Sequence, residues 1–572
     1  MSLDGTVIKN LVYEFNKKIK NGRIDKIYQN NNNEILFNIR ANKIKYKLFI
    51  STSGNPRIYL SDLDFDNPQN PPAFCMLLRK HLENGQILSV DQYKMDRIIK
   101  INVSSRDELR LESSKGIIVE LMGKYSNLIL IDNNDNKIID SLKRINFNVS
   151  SIREILPGII YNPKDISEGL DPNEDFNLND LISNLKDNIN IKRFFLNTFT
   201  GISPQMCDEI SFTTNLDFNM NIKELDSNDI KILEDNFNDI FTNIKNNEFY
   251  PIKIMKKNVF KDFYSIDLEQ YNSENKEHDD SISTIIEDYY NSKTIRDSIN
   301  SKSSNLKKII RKDIKKIEKK ISNQANELNT ALNREKYKIY ADLISSNFHL
   351  IKKGDEFVEV NNFYDDMNLI KIPLDSTLDG PGNASKYYKK YSKLKNAASF
   401  LTEQIEIGKS ELDYLNSILL NIDIADSPDD FDDIYDELEK QGYIKKKNKK
   451  SKHKNNDTKY LTFETEDGFK IYVGKNNKQN DYLTLKFAKK NDLWFHVKDA
   501  PGSHVILKND NRDFTDNSLI SAAKLAAKYS SLSNSQNIPV DYTFKSNVKR
   551  HPAKKPGLVN YENYKTINVK KE

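Results

Sequence analysis

The residues best suited to chemistry cluster between Asn491 and Leu507, in the string N-D-L-W-F-H-V-K-D-A-P-G-S-H-V-I-L. It holds the single tryptophan of the chain and two of its seven histidines. Trp494, Phe495 and Val497 have strand spacing, Pro501-Gly502 forces a turn, and Val505 to Leu507 begins a second strand. The two strands meet around a tight loop that carries His496, Lys498, Ser503 and His504. Imidazole, ammonium and hydroxyl groups beside an aromatic face suit contacts to phosphate and base. A β-hairpin with a core tryptophan, and a histidine that caps a backbone group, accounts for the same string.

Further basic and polar constellations lie elsewhere. Asp96-Arg97 precedes a strand, and Glu120-Leu121-Met122-Gly123-Lys124-Tyr125-Ser126-Asn127 ends another in a polar turn. Arg97 has the planar fork that clamps a phosphate, with Asp96 to orient it. Lys124, Ser126 and Asn127 around Gly123 have the composition of an anion-binding turn. A salt bridge and an ordinary hairpin turn are the structural alternatives. The segment Lys545 to Lys555 concentrates Lys549, Arg550, His551, Lys554 and Lys555. Between Phe194 and Ile210, the order helix, Gly201-Ile202-Ser203-Pro204, helix is that of a helix-hairpin-helix. Such a turn can aim N–H groups at a phosphate, and an ordinary helix–helix connection has the same pattern.

Motifs for bond-making are missing. The chain has no G-x-x-x-x-G-K-[ST], no G-x-S-x-G, no H-E-x-x-H and no cysteine–histidine pair at a recognisable spacing. Cys75 and Cys207 form no C-x-x-C pair, so neither a zinc site nor a disulfide framework is expected. No metal, cofactor or catalytic residue is expected. Nothing approaches the roughly 18 consecutive apolar residues of a membrane span. The first residues lack a charged segment followed by an apolar run. A cytoplasmic protein that does not contact membranes is the expectation. The net charge is only +4, so a nucleic-acid surface must come from local segregation of charge.

The elements that must position these residues read as a multidomain α+β chain. Residues 1–170 form one α+β domain, with Val7, Leu11, Phe15 and Ile19 on one helical stripe. Strands are expected over 22–28, 34–39, 45–50, 97–103, 109–111, 116–121 and 127–131, and a helix after Pro71-Pro72. Residues 175–278 hold the helix-hairpin-helix module. Over 279–436, apolar residues recur by four and three: Ile310, Ile314, Ile317 and Ile321, then Ala398, Leu401, Ile405, Gly408, Leu412 and Leu415. That repeat predicts a long antiparallel coiled-coil hairpin with a small β tip at about 348–386. A first helix of about 45 residues would span roughly 65–70 Å. Acidic Asp426–Glu439 and lysine-rich Lys445–Lys454 read as solvated, with a charged linker over 437–455. The last domain, 456–572, is α+β, with a helix over 518–530.

The order of these residues resembles the NFACT family of ribosome-quality-control factors. The 491–507 string, with Val473-Gly474-Lys475-Asn476-Asn477 upstream and Pro556-Gly557-Leu558-Val559 downstream, is similar to the NFACT-R domain. Gly22-Arg23-Ile24, P-A-F-C-M-L-L-R-K-H from Pro72 to His81, Asp96-Arg97 and the E-L-M-G-K-Y-S-N block resemble NFACT-N. The resemblance implies that Asp96, Arg97, Glu120, Leu121 and Met122 engage tRNA. It implies RNA contact by the last domain, with Trp494, His496, Lys498, Ser503, His504, Lys549 and Arg550 as candidates. It implies docking of the coiled coil on the ribosome. The implied partners are the large ribosomal subunit with its rRNA, an alanine-accepting tRNA and an Hsp15-like RNA-binding protein. The implied role is template-independent alanine tailing of stalled nascent chains. Two other classes remain: a surface adhesin, since family members are often labelled fibronectin-binding, and a DNA-lesion glycosylase. Glycosylases of that fold use a proline after the initiator methionine, and this chain has Ser2.

Overall fold

The computed structural model of the chain describes residues 3–65, 68, 70–106, 111–148, 153–163, 169–256, 259–445 and 460–570. They divide into two compact units, Met1–Thr294 and Ile295–Glu572.

The first unit is built on a nine-stranded antiparallel sheet. Its elements are α1 (Gly5–Ile19), β1 (Arg23–Asn31), β2 (Glu34–Ala41), β3 (Ile44–Ser51), β4 (Arg57–Ser61), α2 (Ala73–Leu82), β5 (Gln86–Gln92), β6 (Ile98–Arg106), β7 (Glu112–Glu120), β8 (Asn127–Asp132) and β9 (Ile138–Ser141). The strand order is β4-β3-β2-β1-β5-β6-β7-β8-β9. The stripe Val7, Leu11, Phe15 and Ile19 is fully buried, as its spacing requires, because α1 lays its apolar face on the sheet. Strands β4, β5 and β9 are not among those expected. β5 reads Q-I-L-S-V-D-Q, too polar at its ends to stand out by alternation alone. The strand expected over 109–111 falls largely outside the described residues.

A helical layer follows, of α3 (Leu178–Ser183), α4 (Ile191–Thr198), α5 (Pro204–Thr214) and α6 (Ser227–Lys245). Phe195, Phe199 and Phe237 stack on one another in its interior. Strands β10 (Ile252–Lys256), β11 (Val259–Tyr264) and β12 (Lys276–His278) form a small sheet in the order β11-β10-β12, before α7 (Ile282–Leu332) begins.

Three segments far apart in sequence meet backbone to backbone. The Gly5 N–H donates to Gly201 O at 2.9 Å. A Cβ on Gly5 would lie 1.9 Å from Met95 O, and one on Gly201 would lie 1.8 Å from it. Gly201 also has φ +78°. No side chain fits either position, and the turn before α5 is thereby pressed against the loop before β6. Asp4 fixes the same junction chemically. Its carboxylate caps α1 by accepting from Val7 N at 3.1 Å, and accepts from Ser203 Oγ at 2.5 Å and Tyr264 Oη at 2.6 Å.

In the second unit α7 is followed by α8 (Glu335–Asn347), β13 (Phe357–Asn362), β14 (Asn368–Pro373), α9 (Gly380–Ile424) and α10 (Pro428–Lys440). The long helix breaks at Asn333-Arg334 rather than running on to 347. Ile310, Ile314 and Ile317 of α7 pack with Leu415, Ile418 and Ile422 of α9. Gly408 lies where a Cβ would come within 2.8 Å of Ile321, and Lys307 pairs with Asp423 at 2.5 Å. Rising numbers on one helix face falling numbers on the other, so the pair is antiparallel. The acidic run from Asp426 is not a solvated linker. It folds as α10, which opens on a Ser427–Asp430 capping box and buries Phe431, Ile434 and Leu438. That i, i+3, i+7 spacing was masked by aspartates on the outer face, where Lys302 meets Asp432 and Lys478 meets Asp433. The expected lysine-rich block lies almost entirely outside the described residues.

The remaining elements are β15 (Leu461–Glu464), β16 (Lys470–Val473), α11 (Asn477–Tyr482), β17 (Leu493–Val497), β18 (Val505–Leu507), α12 (Asp516–Lys528), β19 (Asn537–Phe544), β20 (Val548–Arg550), β21 (Val559–Tyr561) and β22 (Lys565–Lys570). Six strands form a sheet ordered β15-β16-β18-β17-β19-β22. The small side chains Ala522, Ala523, Ala526 and Ala527 let α12 sit close on one face. α11, a π-turn over Leu483–Phe487 and the β20–β21 hairpin cover the other.

The glycine junction makes a direct prediction. Gly201→Ala should lower unfolding free energy by about 2–3 kcal/mol, since it adds a left-handed alanine and a backbone clash. A thermal melt of the full chain unchanged from wild type would contradict the tight approach.

Candidate nucleic-acid interface

The glycine junction leaves a cleft of about 530 Å³ beside it. Asp96, Arg97, Met122 and Tyr125 line one side, and Asn197, Thr200 and Gly201–Pro204 line the other. Two of the three sequence signals for phosphate or anion contact in this unit, Asp96-Arg97 and the turn before α5, therefore open onto one space. The Asp96 carboxylate accepts from the Arg97 N–H at 2.6 Å, and Gln92 Nε2 donates to Asp96 O and Gly5 O at 2.9 Å each. Those bonds hold the loop that presents Arg97. Ser203 caps α5 through Met206 N at 3.3 Å, so the positive end of an eleven-residue helix faces the cleft.

Thr200 supplies the sharpest signal. It is 8% exposed, lines the cleft, and its Oγ1 has no hydrogen-bond partner. A buried hydroxyl without a partner costs about 1–3 kcal/mol, a cost relieved if the side chain turns its hydroxyl toward an anionic oxygen in the cleft. Tyr125 is 60% exposed at the rim, with Lys124 Nζ 4.8 Å from its ring centroid. A cation on an exposed aromatic face suits base stacking. Asp4 also lines the cleft. Burial raises its pKa, and the hydrogen bonds from Ser203, Tyr264 and Val7 oppose that rise. Neither Thr200, Asn197 nor Tyr125 stood out in the sequence as a site residue. Tyr125 lies inside the E-L-M-G-K-Y-S-N block, whereas Thr200 had no signal short of its burial.

Glu120 and Leu121 do not reach the cleft. Glu120 is 0% exposed and takes a bidentate ion pair from Arg153, at 2.8 and 2.6 Å, plus the Tyr161 hydroxyl at 2.9 Å. Burial, and then the neighbouring carboxylate, push the Tyr161 hydroxyl far above its ordinary pKa, so it remains a donor. Leu121 is buried in the main core. Their place is structural: they anchor the strand end from which Met122 and Tyr125 project. The anion-binding turn expected at Gly123 is closed from within. Ser126 Oγ donates to Gly123 O at 2.8 Å, and Asn127 is spent on Lys143 and Leu128 backbone groups.

In the C-terminal sheet, β17 and β18 pair as the hairpin reading required, with Trp494 opposite Ile506. Trp494, Ser503 and His504 are interior, so none of the three reaches a base without unpacking the sheet. Trp494 stacks on His496 at 5.6 Å and meets His504 edge-on at 5.3 Å. His504 Nδ1 lies 2.7 Å from Thr484 Oγ1, and the backbone N–H of His504 donates to Asn480 Oδ1 at 3.1 Å. Burial lowers its pKa to about 3, so the ring is neutral under ordinary conditions. Burial lowers that of His496 as well. What remains accessible is half-buried His496 and Lys498 and exposed Lys549 and Arg550. Lys498 Nζ sits 5.4 Å from the ring centroid of Tyr564, an exposed aromatic. Lys549 pairs with Glu562 at 3.2 Å and Arg550 with Asp481 at 2.6 Å. Pairs this exposed are worth about 0–1 kcal/mol, little enough to exchange for phosphate.

Among the described residues no group of histidine, cysteine or acidic side chains has the makings of a metal site, and no helix is long and apolar enough to cross a membrane. Residues 4–457 match the NFACT N-terminal and middle domains, and residues 459–563 match the NFACT protein RNA binding domain. The chain belongs to the NFACT family. Two curated NFACT relatives are similar along their length. The Rqc2 homolog RqcH of Bacillus subtilis (strain 168) is 33% identical over 574 residues, covering 100% of this chain and 98% of that protein. The Rqc2 homolog RqcH of Streptococcus suis (strain 05ZYH33) is 34% identical over 571 residues, with the same coverage. A solved structure, the N-terminal of the fibronectin/fibrinogen-binding protein from Streptococcus suis, is 29% identical. It covers 51% of this NFACT chain and 99% of its own, with a TM-score of 0.42.

Two measurements check the site. Glu120→Ala should destabilise the fold by about 3–5 kcal/mol, because it strands a buried Arg153; an unaltered denaturation midpoint would return Glu120 to the surface. His504 is depressed from 6.5 to about 3. Between those values the unfolded chain binds a proton that the folded chain refuses, so stability falls as pH drops through that window. His504→Gln should flatten this part of the stability–pH curve, and an equally steep curve in the variant would count against a buried neutral ring.

Proposed function

We propose that this NFACT protein is a ribosome-associated quality-control factor that holds tRNA on stalled large subunits. The observation that carries the reading is the cleft. Arg97, the α5 N-terminus and the unpartnered Thr200 hydroxyl offer phosphate contacts, while Met122 and exposed Tyr125 offer faces for unstacked bases. A splayed single-stranded loop, such as an anticodon loop, presents both features within one such space. The RNA-binding domain named by the family match lies in the other unit, so two separate RNA contacts are available to one chain.

In this reading residues 1–170 and the helix-hairpin-helix module of 175–278 grip the tRNA. The helix pair of 279–436 acts as a coiled-coil strut with its β tip, and 456–572 contacts rRNA through His496, Lys498, Lys549 and Arg550. The tRNA carries alanine, and the tailing of the trapped nascent chain proceeds in the ribosome's own peptidyl-transfer centre. The chain itself positions and does not make bonds, in keeping with a sequence without catalytic motifs. An Hsp15-like RNA-binding protein is the expected companion, and the cytoplasm is the expected place.

The test is recovery of RNA with the tagged full chain from cells under translation stress. Large-subunit rRNA and one dominant tRNA should co-purify. Arg97→Ala with Thr200→Val should cut tRNA recovery about tenfold or more while rRNA recovery stays, since each removes a hydrogen bond to a charged group worth about 1.5–3 kcal/mol. Recovery of neither RNA with the wild type would sink the proposal, and unchanged tRNA with the variant would sink the site.

A further inference from the structure

The last domain spends three of its cations on another part of the chain. Lys475 sits in the V-G-K-N-N string, Lys478 follows it, and Lys555 closes the basic segment that begins at Lys545. Lys475 Nζ pairs with Asp426, just before α10, at 2.9 Å, and with Asp430 in the first turn of α10 at 3.5 Å. Lys478 pairs with Asp433 at 2.8 Å. Lys555 Nζ donates to Gln441 Oε1 at 3.1 Å and stands over the rings of Tyr414 and Tyr443, 5.0 and 5.2 Å from their centroids. Asn477 of α11 completes the contact, donating to Ser417 Oγ of α9 at 2.9 Å and to Glu437 Oε1 of α10 at 3.1 Å. Beside these bonds lies a groove of about 350 Å³, lined by Asp433 and Glu437 of α10 and by Lys478, Lys486 and Arg550 of the last domain.

Little apolar surface holds this contact. Phe431, Ile434 and Leu438 fix α10 to the helix pair, and among the described residues of the last domain only Leu558 packs against that cluster. Domains lock together through large apolar interfaces, and a contact made of ion pairs and amide hydrogen bonds is of the kind that opens. Exposed ion pairs contribute little, and the Lys478 side chain is 51% exposed. Glu437 adds a cost. It is 6% exposed, and burial pushes its carboxyl up to about 7, so above neutral pH the closed contact keeps a charge away from water. Acids that served solubility alone would all face solvent. Asp430, Asp433 and Glu437 instead meet the one domain of the chain whose family match names RNA, a polyanion.

We infer that α10 is an autoinhibitory clasp on the RNA-binding domain: with Asp426 it holds Lys475 and Lys478 closed, and an RNA backbone that takes those lysines releases the domain. The exchange conserves the chemistry, because carboxylate and phosphate oxygens accept the same charge-assisted hydrogen bonds from an ammonium. Number decides it. α10 offers a few fixed carboxylates, whereas an RNA backbone brings a continuous row of phosphates that also reaches Lys486 and Arg550 in the groove. A small anion carries too few charges to replace all the pairs at once, so the clasp favours a polymer over free nucleotides. The helix pair keeps α10 throughout, since its apolar face stays packed there. That the last domain binds RNA at all rests on the proposed function; the ion pairs stand without it.

The test uses the full chain and a stem-loop RNA of about 30 nucleotides, which offers both paired and unpaired backbone. Asp426→Asn with Asp433→Asn removes two of the clasp's charges at nearly constant volume and leaves the Ser427–Asp430 capping box in place. An unchanged melting temperature checks the fold. The variant should bind the RNA about fivefold more tightly than wild type, or better, in about 0.1 M potassium chloride. Asp365→Asn with Asp366→Asn makes an equal charge change on the exposed turn between β13 and β14. This control should move Kd by less than about twofold, since screening confines the effect of a surface charge to its surroundings. A second readout, in wild type, does not depend on substituting any charge: carbodiimide labelling of carboxyl groups, read by mass spectrometry. RNA should raise the labelling of Asp430 and Glu437 severalfold, because opening uncovers them and an anionic ligand does not shield them. Unchanged labelling with RNA bound, or a control as effective as the clasp variant, overturns the inference and makes the contact a fixed dock. RNA binding by wild type with no gain in the variant defeats the clasp alone. Failure of both proteins to bind RNA defeats the proposed function, and the clasp with it.

Discussion

The cleft exists because three backbones touch. Gly5, Met95 and Gly201 approach so closely that no Cβ fits at either glycine, and Asp4 pins the contact by accepting from α1, from the turn before α5 and from β11. A single carboxylate thus joins the first helix, the helical layer and the small sheet. Its burial is costly, and three donors offset that cost. Arg97 and Met122 on one side, and Thr200 with the α5 N-terminus on the other, keep their spacing only while this junction holds.

Polar residues in this chain sort into those that build and those that remain available. Glu120 and His504 have the chemistry of ligand-binding groups and sit in blocks that resemble RNA-binding motifs. Both are consumed internally, the first by Arg153 and Tyr161, the second by Thr484. The accessible groups are their neighbours: Met122 and Tyr125 beyond Glu120, Lys498 beside the buried tryptophan. A motif that persists as a string therefore mixes residues that set geometry with residues that use it.

The acidic helix α10 shows a related division. Aspartates and glutamates cover its outer face, and lysines of α7 and of the α11 region meet several of them, while Phe431, Ile434 and Leu438 hold it to the helix pair. Burial pushes the Glu437 carboxyl up to about 7, and the hydrogen bond from Asn477 opposes it. A run that by composition favours solvent is held as a helix because its three apolar residues share one face.

Much of the architecture was legible because periodicity is a local property. The stripe on α1, the alternation of β1–β3 and β7–β8, the repeat along α7 and α9, and the hairpin at 493–507 all follow from residues within one or two turns of each other. The resemblance to NFACT proteins was legible in the same way, as ordered strings. Three kinds of fact were not. Half-polar strands such as β5 become strands only when β1 and β6 offer hydrogen bonds. The burial of Glu120, Trp494 and His504 depends on Arg153, Tyr561 and Thr484, residues 20 to 67 positions away in the chain. The cleft needs Arg97 and Thr200 on facing walls. The sequence by itself determined which elements form and which strings carry chemistry, since those depend on neighbours along the chain. Only the tertiary structure decided which of those side chains reach solvent, because exposure is set by contacts between segments that the sequence holds apart.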